Sequence, residues 1–207
     1  IDTVVNGLIT QTDVLGRPGG SQGFPGFQPS DVTDEFRTNL AGYIDTELDF
    51  TDAFMVGAAV RAERYSDFGN TITGKLAARY EFSKKFALRA SASTGFRAPS
   101  LPQIYFSSTF TDFVGGVPVD KIIAPNNSTI TRVLGIPKLK QETSLNASFG
   151  FTTKPVNGLT LTVDGYFVDI KDRIVLTGAF EDTDPDIGAD LQALGVGAAQ
   201  FFTNAVD

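Results

Sequence analysis

The side chains that could carry chemistry in this chain are carboxylates, lysines, serines and tyrosines, because its 207 residues include no cysteine and no histidine. Thiolate nucleophiles, disulfides, Cys/His metal sites and histidine acid/base catalysis are therefore excluded for these residues. Asp45, Glu47, Glu63 and Asp164 remain, and paired carboxylates can perform acid/base hydrolysis. One hypothesis is thus a carboxylate-dependent hydrolase on a soluble β scaffold. Similar carboxylates recur, however, on the polar face of every predicted strand, as they would in the polar lining of a barrel.

An acidic loop is the only metal candidate that the sequence offers. The segment 181–186 supplies several oxygen ligands for Ca²⁺, but its spacing matches no EF-hand loop and it lacks a glycine at the turn. A solvated loop is the favoured interpretation, so we predict neither a metal site nor a cofactor. The Gly- and Pro-rich stretch 16–26 is also predicted to be a loop rather than a phosphate cradle, since no Lys-Ser/Thr pair closes it.

Charge and hydropathy narrow the class of protein further. Seventeen Lys and Arg against 24 Asp and Glu give a net charge of −7, opposite in sign to a nucleic-acid-binding surface. No basic leader with an apolar stretch opens residues 1–10, and no apolar run of about 18 residues predicts a membrane helix. Membrane β-strands need only about 9–11 alternating residues, and they leave mean hydropathy near the +0.00 found here.

Alternation between polar and apolar residues is the strongest pattern in the sequence. In one segment Leu76 and Ala78 share an apolar face, while Lys75, Ala77 and Arg79 lie on the opposite one. The segments with this two-residue period are 38–50, 54–65, 73–82, 86–97, 143–152 and 159–167. They predict six amphipathic strands, and only 187–199 is compatible with a short helix or an irregular loop.

The connections between these strands differ in length in a regular way. Segments 51–53, 83–85 and 154–158 are short links, whereas 98–142 and about 176–199 are long and 66–70 is a tight polar stretch. Short turns at one end and longer loops at the other are typical of outer-membrane barrels. Aromatic residues near the strand ends suit the interfacial girdles of such a barrel. They are Phe50, Phe54, Tyr65, Phe68, Phe82, Phe86 and Phe96.

A soluble antiparallel sandwich is the alternative that the strand pattern leaves open, because it alternates in the same way. Two features oppose it. The polar faces carry charged residues in mid-strand, and the apolar faces mix Ala, Leu, Val and Gly without the dense packing residues of a small core. The asymmetry of the connections is also hard to obtain in a Greek key.

Several blocks of this sequence resemble the C-terminal barrel region of TonB-dependent outer-membrane receptors. They are Tyr65-Ser66-Asp67-Phe68-Gly69, the strand end Thr94-Gly95-Phe96-Arg97-Ala98-Pro99 within 90–105, Leu139-Lys140-Gln141-Glu142, and 161–174. Gln141 departs from the proline that is usual in the third block. Pro99 and Pro102 cannot donate to a strand ladder, so they end the strand and begin the loop.

The resemblance implies an all-β, antiparallel up-and-down meander that forms a segment of a 22-stranded transmembrane β-barrel. Residues 1–207 would be a partial barrel of about seven or eight strands, with the plug domain and the remaining strands absent. Both edge strands would then have unpaired backbone groups, so either another polypeptide completes the barrel or the chain is a piece of a longer protein.

The function implied by the resemblance is import at the cell outer membrane rather than enzymatic catalysis. The solute would be scarce: a siderophore or other metal chelate, cobalamin, or a carbohydrate. The partners would be outer-membrane lipid, the small-molecule solute, and a TonB-type energy-transducing protein acting through the absent plug; nucleic acid is not expected. A structural outer-membrane barrel without import function is a further alternative.

Candidate ligand-binding residues fall into two groups. The lumen-facing group is Arg61, Arg79, Arg89 and Arg97, and the loop group is Tyr105 and Phe106, with Phe24, Phe27, Phe110 and Phe113 as further loop aromatics. The arginines could attract an anionic ligand or a plug domain, but pairing with lumen carboxylates across adjacent strands is the favoured explanation. The loop aromatics could contact a bulky ligand at the outer mouth, although packing between loops is favoured.

Overall fold

The computed structural model describes residues 4–5, 8–9, 31–114 and 117–205, with side chains for 31–111 and 119–205. The chain divides into two compact units. The sheet unit contains 37–98 and 140–173, and the loop unit contains 99–139 and 174–205. The glycine-rich stretch 16–26, with Phe24 and Phe27, and the side chain of Phe113 lie outside the described residues.

Thirteen strands and three short helices make up the described chain. In chain order they are β1 (Val4–Val5), β2 (Leu8–Ile9), β3 (Asn39–Thr51), β4 (Phe54–Tyr65), β5 (Gly69–Ser83), β6 (Phe86–Arg97), α1 (Leu101–Tyr105), β7 (Ser108–Val114), β8 (Val117–Ala124), α2 (Thr129–Val133), β9 (Glu142–Thr153), β10 (Leu161–Lys171), β11 (Ile174–Leu176), β12 (Phe180–Glu181), α3 (Gly188–Ala193) and β13 (Ala198–Asn204). The six segments predicted as strands are β3 to β6, β9 and β10, so the predicted antiparallel all-β fold is confirmed.

The sheet unit is one open antiparallel sheet with strand order β10-β9-β6-β5-β4-β3. Its register places apolar residues beside apolar ones and polar residues beside polar ones. Val60 pairs with Ile44 and Gly74, while Arg61 pairs with Tyr43. One face is therefore apolar and the other polar across all six strands. The sheet does not close, since β10 and β3 form its two edges, and the count of 22 strands stays a prediction.

The apolar face of this sheet is exposed. Leu40, Ile44 and Ile72 are each more than 70% exposed, at 76%, 72% and 73%. The buried hydrophobic side chains of the described residues lie instead in the loop unit: Ala124, Leu139, Ile174, Leu191, Ala198, Ala199 and Phe201. A soluble sandwich would bury its apolar face, so this arrangement opposes that alternative.

Strand length fits a membrane-spanning sheet. The six strands contain 11 to 15 residues, and 12 residues extend about 40 Å at ~3.4 Å per residue. A tilt of about 45° reduces that span to about 28 Å, close to the thickness of the hydrocarbon layer. No helix of the described chain is long and apolar enough to cross a membrane.

A continuous row of aromatic rings crosses the apolar face at one end of the sheet. Its ring centroids are separated by 5.8 Å, 6.0 Å, 4.7 Å, 5.8 Å and 6.0 Å in the order Phe50, Phe54, Tyr80, Phe82, Phe86, Phe151. The row therefore runs from β3 to β9. Aromatic rings concentrate at the boundary between lipid and water, so this row marks one membrane interface.

The aromatic row lies at the end of the sheet where the short turns are. Two-residue turns at 52–53 and 84–85 join β3 to β4 and β5 to β6, and the link 154–160 joins β9 to β10. At the opposite end a tight turn at 66–68 joins β4 to β5, but the connection from β6 to β9 has 44 residues, from 98 to 141. We call these the short-turn end and the long-loop end.

The loop unit has more regular structure than the sequence predicted. It contains α1, β7, β8 and α2 within 98–142, a region predicted only as a long loop. Ser100 caps α1 in a capping box with Gln103, a motif that sequence alone could have identified. Within the predicted short helix or loop at 187–199, α3 is helical and β13 begins; β13 then pairs in parallel with β8.

Asn126 joins three segments of the loop unit. It is only 4% exposed. Its Nδ2 donates to the carbonyl oxygens of Pro137 (3.0 Å) and Phe202 (3.2 Å), and its Oδ1 accepts from the N–H of Leu139 (3.0 Å). Removal of the amide would break all three hydrogen bonds.

We expect Asn126→Ala to destabilise the loop unit by about 2–3 kcal/mol, because buried polar groups would lose their partners. Limited proteolysis followed by mass spectrometry should detect faster cleavage within 99–139. Asn127→Ala is the matched control, since Asn127 is exposed. Equal cleavage rates in the two variants would contradict the role of Asn126.

Candidate functional site

The four arginines predicted as candidate ligand contacts all lie on the polar face of the sheet unit. Arg61 is on β4, Arg79 on β5, and Arg89 and Arg97 on β6. Each one forms an ion pair with a carboxylate of the same face. The polar face therefore contains paired charges, as expected for a lining from which bulk water is partly excluded.

Glu63 is the acceptor for three donors at the long-loop end. Its Oε1 accepts from Arg61 Nε at 2.5 Å, and its Oε2 accepts from Asn39 Nδ2 at 2.8 Å and from the Tyr65 hydroxyl at 2.9 Å. The residue is 8% exposed. This network joins β3 to β4 at the edge of the sheet.

Arg89 and Asp164 form a two-pronged ion pair that crosses an intervening strand. Arg89 Nε and Nη2 lie 2.8 Å and 2.5 Å from the two carboxylate oxygens. Gly150 of β9 pairs with both residues and separates them. A Cβ at Gly150 would overlap Asp164 Oδ1 and lie 2.6 Å from the Val163 carbonyl oxygen. The ion pair therefore depends on the missing side chain of Gly150.

The other two arginines pair more locally. Arg97 donates to both carboxylate oxygens of Glu142, its direct neighbour on β9, and Arg79 pairs with Glu81 two residues along the same strand. Sequence reasoning expected pairs across adjacent strands. Only the Arg97 pair has that form among these four, because i,i+2 residues share a face and a glycine lets Arg89 reach farther.

Short polar side chains fill the centre of the polar face. The Ser91 and Ser148 hydroxyls lie 2.8 Å apart across the β6–β9 pair, and Asn146 Nδ2 donates to Ser144 Oγ at 3.2 Å. A Cβ at Gly95 would lie 2.7 Å from Ser144 Oγ, so a larger residue there would force the Ser144 side chain to move. The sequence placed Gly95 on the lumen face, and the register agrees.

A cation–π cluster at the long-loop end was missed by sequence reasoning. Arg37 donates through Nε and Nη2 to the Asp67 carboxylate, at 2.6 Å for the shortest contact. Its guanidinium lies 5.7 Å and 5.3 Å from the ring centroids of Tyr65 and Phe68. These contacts attach the tight turn between β4 and β5 to the residues just before β3. The Tyr65–Gly69 block contains the carboxylate and both rings of this cluster, but Arg37 lies in none of the sequence blocks that resemble the family.

The two loop candidates lie in the loop unit. Tyr105 is the last residue of α1 and is partly buried, and Phe106 caps the helix with 39% of its surface exposed. Phe110 lies 5.8 Å from the Lys121 ammonium. Among the loop aromatics whose side chains are described, Phe106 thus has the largest exposed fraction.

The four carboxylates of the hydrolase hypothesis do not form one constellation. Asp164 is on β10 and Asp45 and Glu47 are on β3, which are the opposite edges of the sheet. Glu63 and Asp164 are already engaged by arginines. In the acidic segment 181–186, Asp184 Oδ1 accepts from the N–H groups of Asp186 (3.0 Å) and Ile187 (3.3 Å). The described residues contain no group of three or more potential metal-ligating carboxylates.

Comparison with known protein families decides the identity of this sheet. The family described as "TonB dependent receptor-like, beta-barrel" matches residues 5–205. The chain belongs to this family. It is therefore barrel sequence of an outer-membrane receptor, and the predicted fold class, resemblance and location are confirmed.

Curated relatives agree with the family. The chain is 23% identical over 137 residues to the iron-regulated outer membrane virulence protein of Vibrio cholerae serotype O1, covering 66% of this chain and 19% of the relative. It is 31% identical over 72 residues to the vitamin B12 transporter BtuB of Vibrio vulnificus, covering 35% of this chain and 12% of that protein. The chain thus spans about a fifth or less of these relatives.

Solved structures share the fold. The siderophore receptor PirA from Pseudomonas aeruginosa superposes with a TM-score of 0.61 at 19% identity, over 86% of this chain and 30% of PirA. The ferric enterobactin receptor PfeA from the same organism gives 0.59 at 15% identity, over 81% of this chain and 22% of PfeA. At these identities the likeness concerns the fold alone.

Gly150 provides a direct test of the strand-crossing ion pair. We expect Gly150→Ala to destabilise the receptor by about 1–3 kcal/mol, because the added methyl group displaces Asp164 and presses on the β10 backbone. Thermal unfolding in detergent measures the change. Gly57→Ala is the matched control on the polar face of β4, where a Cβ would have no contact closer than 3.9 Å. Similar melting temperatures for both variants would argue against this role.

Replacing Glu63 by glutamine tests the three-donor network. The substitution would place an amide N–H group against donors that now face a carboxylate, so we expect a loss of about 1–3 kcal/mol. The same unfolding assay applies. Glu47→Gln is the matched control. It removes an exposed carboxylate of β3 on the same polar face of the sheet, and it should change stability by less than about 0.5 kcal/mol. An unchanged melting temperature for E63Q would disprove the network's contribution.

Proposed function

We propose that this chain is part of a receptor that binds a scarce solute at the cell surface and imports it across the outer membrane with energy supplied by a TonB-type partner. The observation that carries the proposal is the two-sided sheet: an exposed apolar face bounded by an aromatic row, and a polar face on which four arginines are paired with carboxylates. Such a sheet suits lipid on one side and a wet lumen on the other.

The barrel segment would act mechanically and by selection rather than by covalent chemistry. Residues 1–207 would form part of the 22-stranded barrel of the family, while a plug domain in the lumen would receive energy from the TonB-type protein. Outer-membrane lipid would contact the apolar face, and the solute would pass along the polar one. The four candidate carboxylates are dispersed over the sheet and two of them are bound by arginines, which favours this function over hydrolysis.

A siderophore or other metal chelate is the solute class that we favour. The relative that covers most of this chain is described as iron-regulated, and the similar solved structures are siderophore receptors. Cobalamin and a carbohydrate are the other solutes to test, the first because the second relative is a vitamin B12 transporter.

The experiment is solute uptake by cells that produce the receptor carrying this chain. Labelled ferric enterobactin, vitamin B12 and maltohexaose should be offered to the deletion strain, the complemented strain and a complemented strain that lacks its TonB-type protein. We expect uptake of the iron chelate only in the second strain. Uptake that survives loss of the TonB-type protein would overturn energy-dependent import.

Absence of uptake of all three solutes, with the protein intact in the outer membrane, would favour a structural barrel without import function. In that alternative the sheet would still span the outer membrane, but the protein would not transport a solute. Because location is measured separately by membrane fractionation, the two failures can be distinguished.

Among the candidate residues, we propose that the loop aromatics contact the solute and that the paired arginines mainly organise the lumen. Phe106→Ala should weaken binding of ferric enterobactin about tenfold, because an exposed ring in a loop can serve as a binding anchor. Val133→Ala is the matched control, since Val133 is another exposed apolar residue of the loop unit, at 48%. Equilibrium binding to whole cells measures both, and equal affinities would remove Phe106 from the site.

A further inference from the structure

The part of the short-turn end formed by β5, β6 and β9 carries positive charge that the ion pairs of the polar face do not neutralise. A cavity of about 410 Å³ lies there, bordered by β5, β6, β9 and the turns that follow β5 and β9. Its charged lining residues are Arg79, Glu81, Lys84, Lys85, Arg89 and Lys154. Five cations thus surround a cavity that has one carboxylate in its lining.

The lysines supply the excess charge. Arg79 is paired with Glu81, and Arg89 with Asp164. Within the residues whose side chains are described, no carboxylate lies at ion-pair distance from Lys84, Lys85 or Lys154. At the long-loop end, by contrast, three arginines are paired: Arg37 with Asp67, Arg61 with Glu63, and Arg97 with Glu142.

The local backbone holds these lysines on one rim. The Lys154 N–H donates to the Lys85 carbonyl oxygen at 2.8 Å, which joins the two turns. The Lys85 N–H donates to Ser83 Oγ at 3.2 Å. Because that hydroxyl accepts the backbone N–H, its own hydrogen points elsewhere, and Ser83 lines the same cavity as the three lysines.

We propose that this cavity binds a phosphate-bearing anion. Ammonium groups are point charges that suit the several oxygens of a phosphate, and a hydroxyl donor adds a hydrogen bond. The volume lies in the range of small-ligand sites. The aromatic row lies at the same end on the opposite, apolar face, so the turns that carry the lysines lie near the level expected for the lipid headgroups. A soluble phosphate ester and a phospholipid headgroup share this chemistry, and the experiment separates them.

The test uses the purified receptor carrying this chain, in phosphate-free detergent. Calorimetric titration with inorganic pyrophosphate measures the soluble source. Native mass spectrometry with phosphatidylglycerol and phosphatidylethanolamine measures the lipid source. The variant Lys84→Gln/Lys85→Gln/Lys154→Gln removes the rim charges, and Lys75→Gln/Lys138→Gln/Lys171→Gln removes the same charge from exposed lysines elsewhere.

The rim variant should lose at least tenfold in affinity for pyrophosphate, or in retention of phosphatidylglycerol, while the control variant stays within about twofold of the native receptor. Loss in the first assay identifies a soluble ligand, and loss in the second a lipid headgroup. Equal weakening of both variants would indicate only general charge attraction and would overturn the site. No binding of either probe by the native receptor would also overturn it. Solute uptake enters neither readout, so this proposal can fail independently of the import function.

Discussion

Hydrocarbon offers no hydrogen bonds, and every other feature of the sheet unit depends on that constraint. A segment that crosses the membrane must pair its backbone groups within the protein, and the six antiparallel strands do so everywhere except along the two outer edges, β10 and β3. Because residues alternate between faces, the same pairing places the apolar residues on one face of the sheet and the polar residues on the other. The exposed leucines and isoleucines therefore belong on a surface that faces a membrane, and they need no hydrophobic core of this chain to cover them.

The polar face has the opposite requirement. Charges that are partly removed from water need partners, and the four arginines of this face each have a carboxylate. The geometry of these pairs differs: along one strand for Arg61 and Arg79, across adjacent strands for Arg97, and over a glycine for Arg89. The lysines at the short-turn end stand out against this background of neutral pairs.

The loop unit follows the rules of a soluble protein. It buries its own small hydrophobic core, and Asn126 satisfies backbone groups of segments that are far apart in sequence. One chain thus contains two solutions to the burial of polar groups: a backbone ladder in the membrane sheet and side-chain hydrogen bonds in the loops.

The sequence by itself determined the six strands, their two faces and the family, because a period of two residues and short motif blocks such as 94–99 are local properties of the chain. It also predicted that lumen arginines would find carboxylates. Only the tertiary structure decided which carboxylate each one uses, since that depends on register between strands up to 75 residues apart, as for Arg89 and Asp164. It likewise decided the pairing of the strands within 98–142 and the role of Asn126. These depend on contacts between distant segments, such as β8 with β13, and such contacts leave no periodic trace in sequence.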